Sequence, residues 1–296
     1  MTKTYTFYPG CSSEKKASAA NLDISVQSMC HILDIRLNEI KDWNCCSASI
    51  GYAEGGELPR LALSARNLGL AQKQSHRKDV VATCAACWLA LRETNDRLNE
   101  DAEIKAEMDE VLQAAHLTYD GSLRPRHLVE VLIEDIGWDT LKEKVKKPLT
   151  GLKIAGYVGC QTNRPFGVCG DSFENPTYLD KMIEICGATP VAFDKKVACC
   201  GGALAFSELE KVCGLIKDIL QSAKDSGADL IVTPCPVCQL NVEVYQDKVN
   251  QMFGTRFKIP VVYYSQLFVA AWGGSWKQAA LHQQIVPANV LKRFVR

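Results

Sequence analysis

Ten cysteines in two copies of one pattern constrain this chain more than any other feature. In the first half, Cys11 is followed by the adjacent pair Cys45 and Cys46, then by Cys84 and Cys87 as a C-x-x-C. In the second half, Cys160 is followed by Cys199 and Cys200, then by Cys235 and Cys238. Corresponding members lie 149 to 154 positions apart. Internal self-similarity of this kind is the mark of one unit built twice. Two domains are expected, 1–150 and 151–296, joined at Lys147-Pro148-Leu149-Thr150-Gly151. A chain of 296 residues has room for both.

Apolar residues make up 47% of the chain and charged residues 23%, enough to bury real cores. Lys+Arg and Asp+Glu both number 34, so no basic surplus points to nucleic acid or to an anionic membrane. The N-terminus shows no apolar signal-peptide core, and the apolar stretch Ile259–Trp272 is too short to span a bilayer. A cytoplasmic protein with no membrane span is expected. Thiols stay reduced there, so many cysteines argue for metal or redox chemistry over structural disulfides.

Strand and helix patterns alternate through both halves. Thr4–Tyr8 reads as a strand running into Gly10-Cys11, and Asp79–Thr83 as one running into Cys84. Leu152–Val158, Pro190–Phe193 and Asp229–Thr233 repeat the order. Helical spacing covers Ser18–Leu33, Leu58–Gln74, Asn99–Ala115 and Arg126–Ile136. A further helix opens at Asn175-Pro176, and Ser207 with Glu210 reads as a capping box. The fold class is therefore α/β, two repeated units with mainly parallel sheets. In such sheets ligands bind beyond the carboxyl ends of the strands, where the cysteines fall. The tail from Gly273 to Arg296, with Trp276 and Phe294, is either a docking segment or a frayed end.

Buried cysteines are often just small apolar residues, and Cys30, Cys186 and Cys213, within helical stretches, are read that way. Cys169 is left open. A four-thiolate zinc site from Cys84, Cys87, Cys235 and Cys238 leaves six motif cysteines unused. A thioredoxin-type dithiol at Cys235-Pro236-Val237-Cys238 leaves eight unexplained. One iron–sulfur cluster per half uses all ten, and soft thiolates suit it. A simple cube needs four ligands, so the fifth points to a more open cluster in which adjacent cysteines hold neighbouring irons or bridge two. No G-x-G-x-x-G follows a strand, so no flavin or nicotinamide site is read.

The chain resembles the heterodisulfide reductase B-subunit family, and its repeat resembles the CCG domain of that family. The likeness runs through Gly10-Cys11, Ala65-Arg66-Asn67-Leu68, Arg126-His127-Leu128-Val129-Glu130-Val131-Leu132, Gly159-Cys160, Cys199-Cys200-Gly201 and Ser265-Gln266-Leu267. It implies two CCG domains related by a pseudo-twofold and two noncubane [4Fe-4S] clusters. One would be bound by Cys11, Cys45, Cys46, Cys84 and Cys87, the other by Cys160, Cys199, Cys200, Cys235 and Cys238. It also implies thiol/disulfide redox chemistry, with Cys46 and Cys200 catalytic and the substrate sulfur held between the two sites. The implied partners are a ferredoxin-like subunit, a flavin-containing subunit and a lipoate-binding carrier protein.

One departure stands out. Ser47-Ala48-Ser49 follows the first pair, where Gly201-Gly202-Ala203 follows the second. The loop Trp43-Asn44-Cys45-Cys46-Ser47 is unlike the methanogenic pattern. It directs the reading to oxidation of carrier-bound sulfur, over reduction of the CoM–CoB heterodisulfide or pure electron relay in a quinone- or lactate-linked oxidoreductase. Asn163, Arg164 and Lys195 are candidate contacts for a substrate anion, and His127 for the cleft.

Overall fold

Apolar runs that end at a glycine or a cysteine become strands buried on both faces, and this sets the architecture. The computed structural model describes residues 2–14, 17–48, 56–75 and 77–295. The first half forms β1 (Lys3–Tyr8), α1 (Ala20–Ile32), β2 (Ile35–Glu39), α2 (Glu57–Gln74), β3 (Asp79–Ala82), α3 (Ala85–Glu100), α4 (Ala102–Ala114) and β4 (Arg124–His127). Short helices α5 (Leu128–Glu130) and α6 (Trp138–Glu143) flank a π-helical turn at Val131–Ile136. The second half forms β5 (Lys153–Gly156), α7 (Tyr178–Ile185), β6 (Thr189–Pro190), α8 (Leu209–Asp225), β7 (Leu230–Thr233), α9 (Pro236–Val244), α10 (Gln246–Phe253), β8 (Val261–Tyr263) and α11 (Tyr264–Ala271).

Each half builds one four-stranded, all-parallel sheet, in the order β2-β1-β3-β4 and then β6-β5-β7-β8. The order reverses between β1 and β3 and again between β5 and β7. Those are the topological switch points, where an open α/β sheet leaves a crevice. Cys11 and Cys84 follow the two strands at the first, and Cys160 and Cys235 follow the two at the second.

Helix periodicity covers the sheets. Along α8, Val212, Cys213, Ile216, Ile219, Leu220 and Ala223 form one buried face. The halves share a core, because one contiguous apolar cluster includes Leu22 and Met29 of α1 and Leu267 and Phe268 of α11. The Ser25 and Ser265 hydroxyls meet at 2.7 Å inside that contact. Cys30, Cys186 and Cys213 are buried as apolar residues, whereas Cys169 is exposed.

Three local readings change. Arg126–Ile136 is not one helix: it opens as strand β4, and His127 caps the turn after it. The apolar pattern there fits either state, and pairing with β3 decides it. The Ser207–Glu210 capping box is not made, since α8 starts one residue later and Ser207 turns back to the Leu204 carbonyl. The tail does not fray. Leu281, Leu291 and Phe294 are buried against the common core.

Arg126 anchors β4 below the site. It is only 2% exposed and pairs with Asp135 at 2.8 Å and Glu134 at 2.8 Å. Tyr5 on β1 donates to the same Asp135 at 2.6 Å. Replacing Arg126 with Leu takes the guanidinium from Asp135 while Glu134 keeps Arg124 at 2.7 Å, so urea unfolding should show a loss of about 1.5–3 kcal/mol. A loss below about 1 kcal/mol would show that the network contributes no more than an exposed ion pair.

Candidate cysteine-lined redox site

The strand ends deliver the ten thiols to one region. Cys84 is the residue before α3 and Cys235 the residue before α9. Cys87 and Cys238 therefore lie in first helical turns, where the helix dipole favours a thiolate. In the first half Cys11 and Cys45 lie 3.7 Å apart, and Cys46 and Cys87 3.4 Å apart. In the second, Cys160 and Cys199 lie 3.9 Å apart, and Cys238 hydrogen-bonds with Cys200. The Cys84 and Cys235 thiols face each other across the junction of the halves, close enough to shift one another's ionisation in opposite directions.

Two glycines make room for this. Gly10 and Gly159 both adopt φ +74°, and a Cβ there would meet Cys87 Sγ at 2.7 Å and Cys238 Sγ at 2.9 Å. Two tyrosines hold the paired cysteines in register. Tyr8 donates to the Asn44 carbonyl and Tyr157 to the Ala198 carbonyl, each at 2.7 Å. Each acceptor immediately precedes a cysteine pair.

The pairs themselves are braced differently. Asn67 of α2 accepts from Asn44 N–H at 3.0 Å and donates to its carbonyl at 2.9 Å, while Ser64 donates to the Cys46 carbonyl at 3.3 Å. In the second half Asn241 of α9 donates to the Cys200 and Gly202 carbonyls at 3.2 and 3.0 Å. Asn241 and both tyrosines went unnoticed in the sequence. The tyrosines had a signal, since each stands three residues before the first cysteine of its half.

Burial and mutual contact split the thiols. Cys46 is held down to about 3 by its hydrogen bonds from Cys45 and Cys87, and Cys199 to about 6 by Cys160. Bonds from Cys238 and Cys84 hold Cys235 well below the ordinary thiol range. Their partners Cys45, Cys84, Cys87, Cys160 and Cys238 are pushed up by the same bonds and by burial. Thiols this close set one another's ionisation, and entry of positive charge would let more of them ionise together, which is the behaviour of a metal-ligand set. Among the described residues no three or more His, Cys, Asp or Glu surround a single ion point.

Cys46 and Cys200 are buried, at 4% and 2% exposure, whereas Cys11 and Cys199 are exposed at the rims. A cavity of about 100 Å³ lies against the second set, walled by Ala48, Ala85, Ala86, Val158, Gln161 and Val237. All five cysteines of the second set line it as well. The largest surface groove, about 1240 Å³ between α7 and α8, contains none of the ten cysteines. Lys195 lines that groove. Asn163 is spent on the Phe173 carbonyl, and Arg164 faces the same group at 3.5 Å.

His127 is a packed histidine. Its Nδ1 accepts from Val129 N–H at 3.2 Å, and burial depresses it to about 4. His76 and Ser49 lie outside the described residues.

Ser47 occupies the place of Gly201 and takes its conformation, φ +62° against +87°. The left-handed region costs a residue with a Cβ roughly 1–2 kcal/mol. At Gly201 a Cβ would also meet Val212 Cγ2 at 2.6 Å. Ser47→Gly should therefore raise unfolding stability by about 1 kcal/mol, and Gly201→Ser should lower it by about 2 kcal/mol. Equal and opposite shifts of the two variants would mean that crowding at Val212 does not matter.

Comparison with known proteins fits this geometry. A family profile described as a cysteine-rich domain matches twice, over residues 5–92 and 154–243. The 8-methylmenaquinol:fumarate reductase membrane anchor subunit of Wolinella succinogenes is 32% identical over 98% of this chain and 100% of its own length. The B subunit of the ferredoxin:CoB-CoM heterodisulfide reductase of Methanosarcina mazei is 32% identical over 86% of this chain and 85% of its own. A crystal structure of a hypothetical protein from Helicobacter pylori superimposes with a TM-score of 0.77 at 14% identity, which shows a shared fold. It covers 97% of this chain, and the chain spans 53% of it.

Proposed function

Because the chain belongs to the cysteine-rich CCG domain family, in two copies, we propose that it is the electron-carrying iron–sulfur subunit of a heterodisulfide-reductase-like oxidoreductase complex. Each five-cysteine set holds one noncubane [4Fe-4S] cluster: Cys11, Cys45, Cys46, Cys84 and Cys87 in the unit 1–150, and Cys160, Cys199, Cys200, Cys235 and Cys238 in the unit 151–296. The observation that carries this reading is the gathering of five thiols at the strand ends of each half, with Cys11 against Cys45 at 3.7 Å, Cys46 against Cys87 at 3.4 Å and Cys160 against Cys199 at 3.9 Å. Bound there, the clusters supply one-electron redox steps.

The chain's own groups do the rest. Cys46 and Cys200 are the central ligands of their sets. Gly10 and Gly159 keep Cys87 and Cys238 in reach, and the Tyr8 and Tyr157 hydroxyls fix the backbone before each pair. The rim thiols Cys11 and Cys199 are where electrons enter and leave, to a ferredoxin-like or flavin-containing partner. All fourteen cysteines are free thiols, which suits a reducing, cytoplasmic setting. Among the described residues no helix is long and apolar enough to cross a membrane.

Relay comes first among the reactions because the likeness to the quinol-linked fumarate reductase subunit runs the full length of both chains. The small cavity at the second set is lined by all five of its thiols, so it is the space for that cluster and offers disulfide chemistry no separate seat.

Anaerobically reconstituted protein should carry about eight irons and about eight sulfides per chain. Cys46→Ser and Cys200→Ser should each remove about half of both. Zinc without sulfide would overturn the cluster reading. Thiol added to the oxidised protein should leave its EPR spectrum unchanged if the protein only relays electrons, and a thiol-dependent signal would establish the disulfide reading instead. Ser47→Gly should shift the midpoint potential of the first cluster alone, through loss of a hydroxyl beside Cys46.

A further inference from the structure

We propose that Glu243 is the protonation site that accompanies one-electron reduction of the second cysteine set, at a position the first half gives to Arg92. The inference rests on the cluster reading above.

Glu243 stands on α9 five residues beyond Cys238, about 7.5 Å along the helix axis. It is 1% exposed. Neutral groups hold its carboxylate: Gln239 Nε2 donates at 2.5 Å, Gln284 Nε2 at 3.2 Å and Ile285 N–H at 3.3 Å. Inward, Gln239 Oε1 accepts from the Tyr263 hydroxyl at 3.1 Å. Tyr263 is buried and feels the charges of Cys235, Cys84 and Cys238 as well as that of Glu243. Outward, Glu243 lines a surface cleft of about 540 Å³. Gln246 and Asp247 of α10 and Arg256 and Lys258 of the following loop share that cleft. The carboxyl thus stands between a solvent cleft and, through Gln239, the Tyr263 hydroxyl, which senses the thiols.

The repeat shows that this is particular to one half. Shifted by the 151 positions that separate Cys87 from Cys238, Glu243 corresponds to Arg92 and Gln239 to Trp88. Arg92 lies 3.8 Å from Glu130 and 4.3 Å from the Phe166 ring centre. The first set therefore has a fixed cation, balanced by Glu130, at the place where the second has a carboxyl held by amides.

Burial raises the Glu243 carboxyl to about 7, so the group is poised to change charge near neutral pH. An added electron nearby raises it further. The balanced step is oxidised second set, plus one electron, plus Glu243 carboxylate, plus one proton, giving reduced second set and Glu243 carboxylic acid. The electron comes from a one-electron iron–sulfur partner, or from dithionite in the test, and the proton comes through the cleft.

EPR-monitored redox titration of the holoprotein between about pH 6 and pH 8 reads this directly. In a Cys46→Ser background, only the second set contributes. Its midpoint should fall by up to ~59 mV for each tenfold drop in proton concentration. Glu243→Gln should flatten that slope, and Glu243→Asp should restore it. Redox-difference infrared spectra of wild-type protein should gain a carboxylic-acid band on reduction, and this reading needs no variant to fold. Full iron and sulfide with a pH-independent midpoint, or a slope that survives Glu243→Gln, overturns the inference alone. Absence of iron and sulfide overturns the cluster reading and the inference together.

Discussion

Two helix N-termini, each preceded by a cysteine, face each other where the halves join, and the rest of the chain supports the thiols gathered there. A thiol buried among others either keeps its proton or gives it up at a neighbour's expense. Cations among them would let more of the thiols carry charge together. The parallel strands, positive-φ glycines and buried tyrosines all hold such a donor set in place. Arg126 serves the same end from below, by fixing the strand that leads into His127 between the two C-x-x-C turns.

The halves share a plan and differ in its execution. Tyr8 and Tyr157 do the same work, as do Gly10 and Gly159. Around the cysteine pairs the likeness stops. One pair is braced from α2 by Asn67 and Ser64, the other from α9 by Asn241. Ser47 accepts a strained backbone at the position where Gly201, without a Cβ, avoids Val212. Arg92 stands against Glu243. Like donor sets in unlike surroundings would differ in potential on the proposed reading.

Much of the site was legible because chemistry and spacing coincide. Cysteines that follow apolar runs must fall at strand ends, and parallel strands bring those ends together whatever loops intervene. What was not legible lies in contacts between distant segments. The stretch after Pro125 reads equally as strand or helix until β3 is placed beside it. Ser207 and Glu210 have the capping spacing, yet the turn from Gly202 to Phe206 moves the cap position from Ser207 to Glu208. Trp276 and Phe294 gave no sign of whether the tail would be free, because only the groove between α1 and α11 shows where its apolar residues go.

By itself the sequence determined the repeat, the α/β class, the ten thiols and the place where one glycine became serine. Each of these depends on local order: which residue follows which, and at what period. Tertiary structure alone decided that Cys84 and Cys235 face each other, that all five thiols of the second set line one cavity, and that Glu243 sits between a solvent cleft and Tyr263. Those are facts about distance through space. They arise when two sheets fold against a common core, and no spacing along the chain encodes them.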